Sequence, residues 1–107
     1  MKIENCINAS GKSKVTLSGE FDAYGSATIH PVFKNLVERE DVRSISINMK
    51  NVGFIDSSGV GEVVFLFKNL KKSSRSLELV GVHGQVKEVL ELVGVHRAIP
   101  TSMFGWD

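Results

Sequence analysis

The stretch Ser44-Ile45-Ser46-Ile47-Asn48-Met49 limits the fold more tightly than any other part of the chain. Successive side chains of an extended chain point to opposite faces. Ile45, Ile47 and Met49 therefore share one face, and Ser44, Ser46 and Asn48 share the other. A strand buried on both faces reads as a continuous apolar run. Strict alternation calls for one covered face and one that is wet or lightly covered. A sheet with helices on one side only meets that condition.

The other elements fall around this strand. Met1 to Asn8 alternates loosely, with Ile3 and Ile7 on one face, and reads as a first strand. Ala9-Ser10-Gly11-Lys12 reads as a hairpin turn and Lys14 to Ser18 as a second strand, with Val15 and Leu17 inward. Gly19 to Ser26 reads as a loop entering a helix. Ser26 is its N-cap, and Ile29, Phe33, Leu36 and Val37 follow at helical spacing. Pro31 inside that pattern predicts a kink or a later helix start. His30 beside it has no partner nearby in sequence and reads as a helix-surface residue. The best helix runs from about Ser58 to Lys72, with an apolar stripe of Val60, Val63, Val64, Phe67 and Leu70 and with Leu66 at its margin. Phe65 projects away from that stripe, on the side of Glu62 and Asn69. It is either an exposed partner contact or a residue that another element covers.

Lys71-Lys72-Ser73-Ser74-Arg75 reads as a solvated basic helix end. Leu77 to Val82 reads as a further strand, and Gly84 to Val93 as a short amphipathic helix closed by Gly94. Val95 to Ile99 reads as a short edge strand. The tail Met103-Phe104-Gly105-Trp106-Asp107 either folds back onto the body or serves as an interaction handle.

Composition narrows the class of function. The 107 residues suffice for one domain with a real core, and the expectation is a single domain over 1–107. A net charge of +1 gives no electrostatic case for nucleic acid or an anionic membrane. The lone Cys6 excludes an internal disulfide and a cysteine-rich metal site. No apolar run is long enough to span a bilayer, and no signal-peptide core is visible, so the expectation is a cytoplasmic protein.

The stretch that carries chemistry is Asp56-Ser57-Ser58-Gly59-Val60-Gly61, where a strand or extended loop hands over to the best helix. Either hydroxyl can cap that helix by accepting from a free first-turn amide. Either can also be displayed for modification, since a phosphate at a helix start meets free amides and the positive end of the dipole. Catalytic patterns fail. A G-x-S-x-G elbow centred on Ser58 would need glycine where Asp56 stands, and a dinucleotide fingerprint from Gly59 would need glycine where Val64 stands. His30, His83 and His96 are scattered, without metal-ligand spacing. The expectation is therefore a protein that is not an enzyme, with no metal and no cofactor.

Four segments in order resemble a STAS domain of the bacterial anti-sigma factor antagonist type. They are Gly19 to Tyr24, Asn51 to Gly61, Leu77 to Val82 and Val86 to Gly94. The resemblance implies an α/β fold: a mixed four- to five-stranded sheet with helices packed mainly on one face. It also implies partner switching. The unphosphorylated protein binds a serine kinase that doubles as an anti-sigma factor; phosphorylation of the D-S-[ST]-G serine weakens binding, and a serine phosphatase restores it. Carried onto this chain, the acceptor is Ser58, with Ser57 the alternative. Asp56 and Asp22 are acidic neighbours of the site, and Tyr24, Gly59, Val60, Glu62 and Phe65 are candidate partner contacts. Neither nucleic acid nor membrane insertion is implied. The chain departs from the family pattern at Asn48, where an acid is frequent, at Pro31 and at Phe65. The competing expectation is a constitutive STAS subunit of a transport or scaffold complex, with Ser57 and Ser58 acting only as caps.

Overall fold

A computed structural model describes residues 1–106; Asp107 lies outside the described residues. The chain runs β1 (Lys2–Ile7), β2 (Lys12–Phe21), α1 (Ala23–Glu38), β3 (Ser44–Ile55), α2 (Ser57–Lys72), β4 (Ser76–Val80) and α3 (Gly84–Leu92), followed by a 3-10 turn at Val95–Arg97. The sheet has the order β1-β2-β3-β4. The β1–β2 pair is antiparallel; β2–β3 and β3–β4 are parallel. The sheet is thus mixed and four-stranded, in an α/β fold.

The alternation of Ser44 to Met49 has the consequence expected of it. Ile45, Ile47 and Met49 are buried together with Val15, Leu17, Leu77 and Leu79 from the neighbouring strands. Ile29, Phe33 and Leu36 from α1, Val63, Leu66 and Leu70 from α2, and Val86 and Leu90 from α3 complete the same apolar cluster. The opposite face is lightly covered, by the tail. Backbone bonds tie the tail to the free edge of β4, from Leu79 N to Pro100 O (2.9 Å) and Ser102 N to Leu79 O (2.9 Å), and to the residues just after it, from Val82 N to Ser102 O (3.0 Å) and Gly81 N to Phe104 O (3.1 Å). The Trp106 indole then donates to Ser46 Oγ at 2.7 Å, with the Lys14 ammonium 5.3 Å from its ring centre. Ser46 and Asn48 are buried as a result.

Several sequence expectations need correcting. β2 and β3 both extend well beyond the alternating segments, reaching Phe21 and Ile55. No fifth strand forms at residues 95–99. Val95–Arg97 is a 3-10 turn, and only Thr101 bridges to β4, at Leu79. α1 begins at Ala23 and continues through Pro31, which is exposed, so the helix does not start late. Solvent can serve the carbonyl that the proline leaves without a partner. The buried stripe of α2 is Gly59, Val63, Leu66 and Leu70, rotated from the one the sequence suggests; Val60, Val64 and Phe67 are only half-buried. Leu66 is fully buried because α2 packs against both α1 and the sheet, which fixes a rotation that periodicity alone leaves open. Arg75 is not a solvated end of α2. Its guanidinium donates to Val37 O (2.7 Å), Val42 O (3.2 Å) and Arg39 O (3.3 Å), closing the C-terminal end of α1.

Candidate functional site: two parallel strand-to-helix junctions

β2 and β3 run parallel, and Phe21 pairs with Ile55 at their ends. Each strand is followed at once by an aspartate and a helix, so two helix N-termini lie side by side, each leaving a strand end about 4.8 Å from the other in the sheet direction. Asp22 and Asp56 have nearly the same extended backbone, with φ/ψ of −100°/−165° and −121°/−168°. Asp22 Oδ1 accepts from Gly25 N at 2.9 Å. Asp56 Oδ1 accepts from Ser58 N at 2.9 Å and from Gly59 N at 3.4 Å. The carbonyls of the same two residues accept from Ser26 N (2.8 Å) and Val60 N (3.0 Å).

Both helices are therefore capped by aspartate, which ranks with serine as an N-cap. This overturns two expectations. Ser26 is not the cap of α1, and neither Ser57 nor Ser58 caps α2. The serines occupy the first and second positions of the helix, where Ala23 and Tyr24 stand in α1. Ser26 lies one turn in, where its Oγ is buried with no hydrogen-bond partner among the described residues.

The glycine that closes each junction has a steric reason. A Cβ on Gly59 would lie 2.5 Å from Phe21 O, 2.7 Å from Ile55 Cγ1 and 2.8 Å from Phe21 Cγ. A Cβ on Gly25 would run into Glu20 O. Only a residue without a side chain lets each helix start this close to the end of β2.

Around the serines, the candidate residues divide. Ser57 and Tyr24 are open to solvent, Tyr24 at 87% exposure, while Ser58 is half-buried. Ser58, Glu62 and Phe65 follow at helical spacing along one side of α2. That side faces α1. His30 Nδ1 and Glu62 Oε1 are 2.9 Å apart, and the His30 ring lies against Phe65 with centroids 4.8 Å apart. Phe65 is thus half-buried and covered by α1, not an exposed aromatic handle, and His30 has the partner that its sequence surroundings lacked. The Glu62 side chain is 16% exposed, and its carboxylate is engaged with His30. Asp56, Asp22, Tyr24, Ser57, Ser58 and Gly59 lie together at the two helix starts, with Val60 half-buried one position further on; Glu62 and Phe65 lie further along the α1–α2 contact.

One contact at the site has no signal in the sequence. Gln85, in the first turn of α3, reaches the backbone of Ile55 immediately before Asp56. Its Oε1 accepts from Ile55 N at 2.9 Å and its Nε2 donates to Ile55 O at 2.8 Å. The two residues are far apart in the chain, and no local pattern joins them. His83 Nε2 similarly lies 2.9 Å from Lys50 O. Among the described residues, no three His, Cys, Asp or Glu side chains gather as a metal site would require. Nor is any helix of the described residues long and apolar enough to cross a membrane.

The junctions, the mixed sheet and the helices on one face together define a known class. Residues 7–104 match the STAS domain family, and the chain belongs to it. Over 86 residues it is 27% identical to the anti-sigma F factor antagonist of Paenibacillus polymyxa, covering 80% of this chain and 74% of that one. The fold is that of the anti-sigma factor antagonist SpoIIAA, solved in its unphosphorylated form (TM-score 0.76, 20% identity, 98% of this chain and 90% of that one). A sulfate transporter family protein from Wolinella succinogenes has it too (TM-score 0.76, 19% identity, 92% and 81%).

Proposed function

We propose that this protein is an anti-sigma factor antagonist whose binding is switched by phosphorylation of Ser58. The observation that carries the reading is the aspartate cap. Asp56 already satisfies the first-turn amides of α2, which leaves the two hydroxyls without a structural duty. The antagonist relative adds support at the level of sequence, and the half-exposed Ser58 is reachable from solvent.

In its unphosphorylated state the protein binds an anti-sigma factor that is also a serine kinase, through the surface around Asp22, Tyr24, Asp56 and the serines. The kinase transfers the γ-phosphoryl group of ATP to Ser58 Oγ; the hydroxyl proton leaves to a base on the kinase, and ADP is released. The phosphoserine carries roughly −1.5 to −2 charges. It arrives where Asp22 and Asp56 already place two carboxylates, so the surface becomes strongly acidic. Because Asp56 holds the helix amides, the phosphate gains little from the helix start and the backbone keeps its conformation. The change is one of surface charge, and it repels a partner matched to the neutral serine. A serine phosphatase reverses it. The protein performs no chemistry of its own, and the cytoplasm, where a sigma-factor system works, is its proposed location.

The test is phosphate incorporation from ATP with the cognate kinase, followed by binding. Ser58→Ala abolishes incorporation, and Ser58→Asp loses partner affinity. If Ser58→Ala still takes up phosphate and Ser57→Ala does not, the acceptor is Ser57. If Ser58→Asp binds like the wild type, the switch is refuted, and the constitutive subunit of a transport or scaffold complex becomes the better reading.

A further inference from the structure

We infer that Gln85 is a positioning residue for the serine junction: its side-chain amide replaces a missing sheet neighbour and fixes the backbone from which Asp56, Ser57 and Ser58 are presented. The inference deepens the phosphoswitch reading above and, for its effect on phosphoryl transfer, rests on it.

The need for such a residue follows from the sheet. β4 pairs with β3 only from Ser44 to Asn48. Beyond that point β3 continues to Ile55 with a neighbour on the β2 side alone, and that pairing has irregularities between Thr16 and Ser18 and between Gly19 and Glu20. In a parallel strand the N–H and C=O of one residue point to the same side. For Ile55 that side is the one β4 has left, since the next amide, Asp56 N, is the one that reaches Phe21 O, at 3.3 Å. Ile55 is fully buried. Its amide and carbonyl would lie unpaired, away from both strand and water, an arrangement that buried backbone avoids.

Gln85 meets both groups with one side chain. A primary amide offers a donor and an acceptor in the same plane, as a peptide group does. Glutamate would keep the acceptor for Ile55 N and lose the donor to Ile55 O; methionine, of similar shape, would lose both. The hold on Ile55 continues without slack into the site. Ile55 precedes Asp56, and the Asp56 carboxylate holds Ser58 N and Gly59 N. Gln85 is itself placed by α3, which is anchored in the core through Val86 and Leu90. The position of the hydroxyls relative to the sheet is therefore set from two directions, by β2 on one side and by α3 on the other.

The experiment compares the full chain as wild type, Gln85→Glu and Gln85→Met. Amide hydrogen exchange by NMR reads the junction without any partner. The expected result for both variants is that Ile55, Ser58 and Gly59 exchange about tenfold faster or more, while Ile45 and Ile47 at the sheet centre stay within about twofold of wild type. With the kinase that modifies the wild type, kcat for phosphate incorporation falls about tenfold and KM changes little, as loss of alignment predicts. Exchange that rises equally at Ile55 and Ile47 would mean a general loss of stability and would overturn the positioning role. So would a junction loosened at Ile55 with kcat unchanged. If the wild type takes up no phosphate from any kinase tried, the phosphoswitch reading fails by itself, and the exchange comparison still decides whether Gln85 holds the junction.

Discussion

Phe21-Asp22-Ala23-Tyr24-Gly25 and Ile55-Asp56-Ser57-Ser58-Gly59 have the same construction. Each ends a parallel strand in a buried apolar residue, caps the following helix with aspartate, and closes with a glycine pressed against the end of β2. They differ in the two residues between cap and glycine. α1 carries Ala23 and Tyr24; α2 carries Ser57 and Ser58. Since α1 starts soundly with no serine or threonine there, and with the Tyr24 hydroxyl out at the end of an exposed ring, α2 does not need its serine hydroxyls in order to start. The pair of junctions thus separates what the fold requires, Asp and Gly, from what it leaves free.

That separation can be broken most forcefully at the glycines. Gly59→Ala should destabilise the protein by about 1–3 kcal/mol, because the new methyl group meets backbone and a buried ring that have no room to move. Gly25→Ala should behave alike, and a denaturant titration of both measures it. A Gly59→Ala protein of unchanged midpoint would show that the close approach does not constrain the junction. Removing the caps comes next. Asp56→Ala and Asp22→Ala should each cost about 1 kcal/mol, read in the same titration; a much smaller loss for Asp56 would return the capping role to the serines.

Ser26 sharpens the comparison from the other direction. It stands in α1 where Val60 stands in α2, and its buried hydroxyl has no partner among the described residues. Ser26→Ala should therefore stabilise the protein by about 1 kcal/mol, the penalty of an unpaired buried hydroxyl, visible as a raised thermal midpoint. The smallest expected effect is at the serines themselves. Ser57→Ala and Ser58→Ala should each lie within about 0.5 kcal/mol of wild type, as surface substitutions do. A cost near that of Asp56→Ala would mean that the hydroxyls are structural after all.

Much of this was legible in the sequence. The alternation of Ser44 to Met49 foretells the one-sided helix layer and the light cover of the other face, and the segment from Asp56 to Gly61 marks the strand-to-helix handover. The capping residues were also there to be read. Aspartate is as good a cap as serine, and the repeat of Asp-x-x-Gly at 22 and 56 is visible once the two segments are set side by side. What could not be read is what depends on distance in the chain. The rotation of α2, which buries Leu66 and leaves Val60 and Val64 at the margin, is set by α1 and the sheet together. Phe65 looks exposed until His30 on another helix covers it. Arg75 looks like one more charge in a basic turn until its guanidinium is found on the end of α1. Gln85 reaches Ile55 across 30 positions. Local periodicity describes an element and a face, but a partner on another element belongs to the packing.

The aspartate cap spares both hydroxyls of α2, and Ser58 is the proposed phosphate acceptor. The mass of the intact protein after incubation with ATP and the cognate kinase tests it most directly, run in parallel on wild type, Ser57→Ala and Ser58→Ala. One added phosphate is expected on the wild type and on Ser57→Ala, and none on Ser58→Ala. A phosphate on Ser58→Ala, or none on Ser57→Ala, would contradict it.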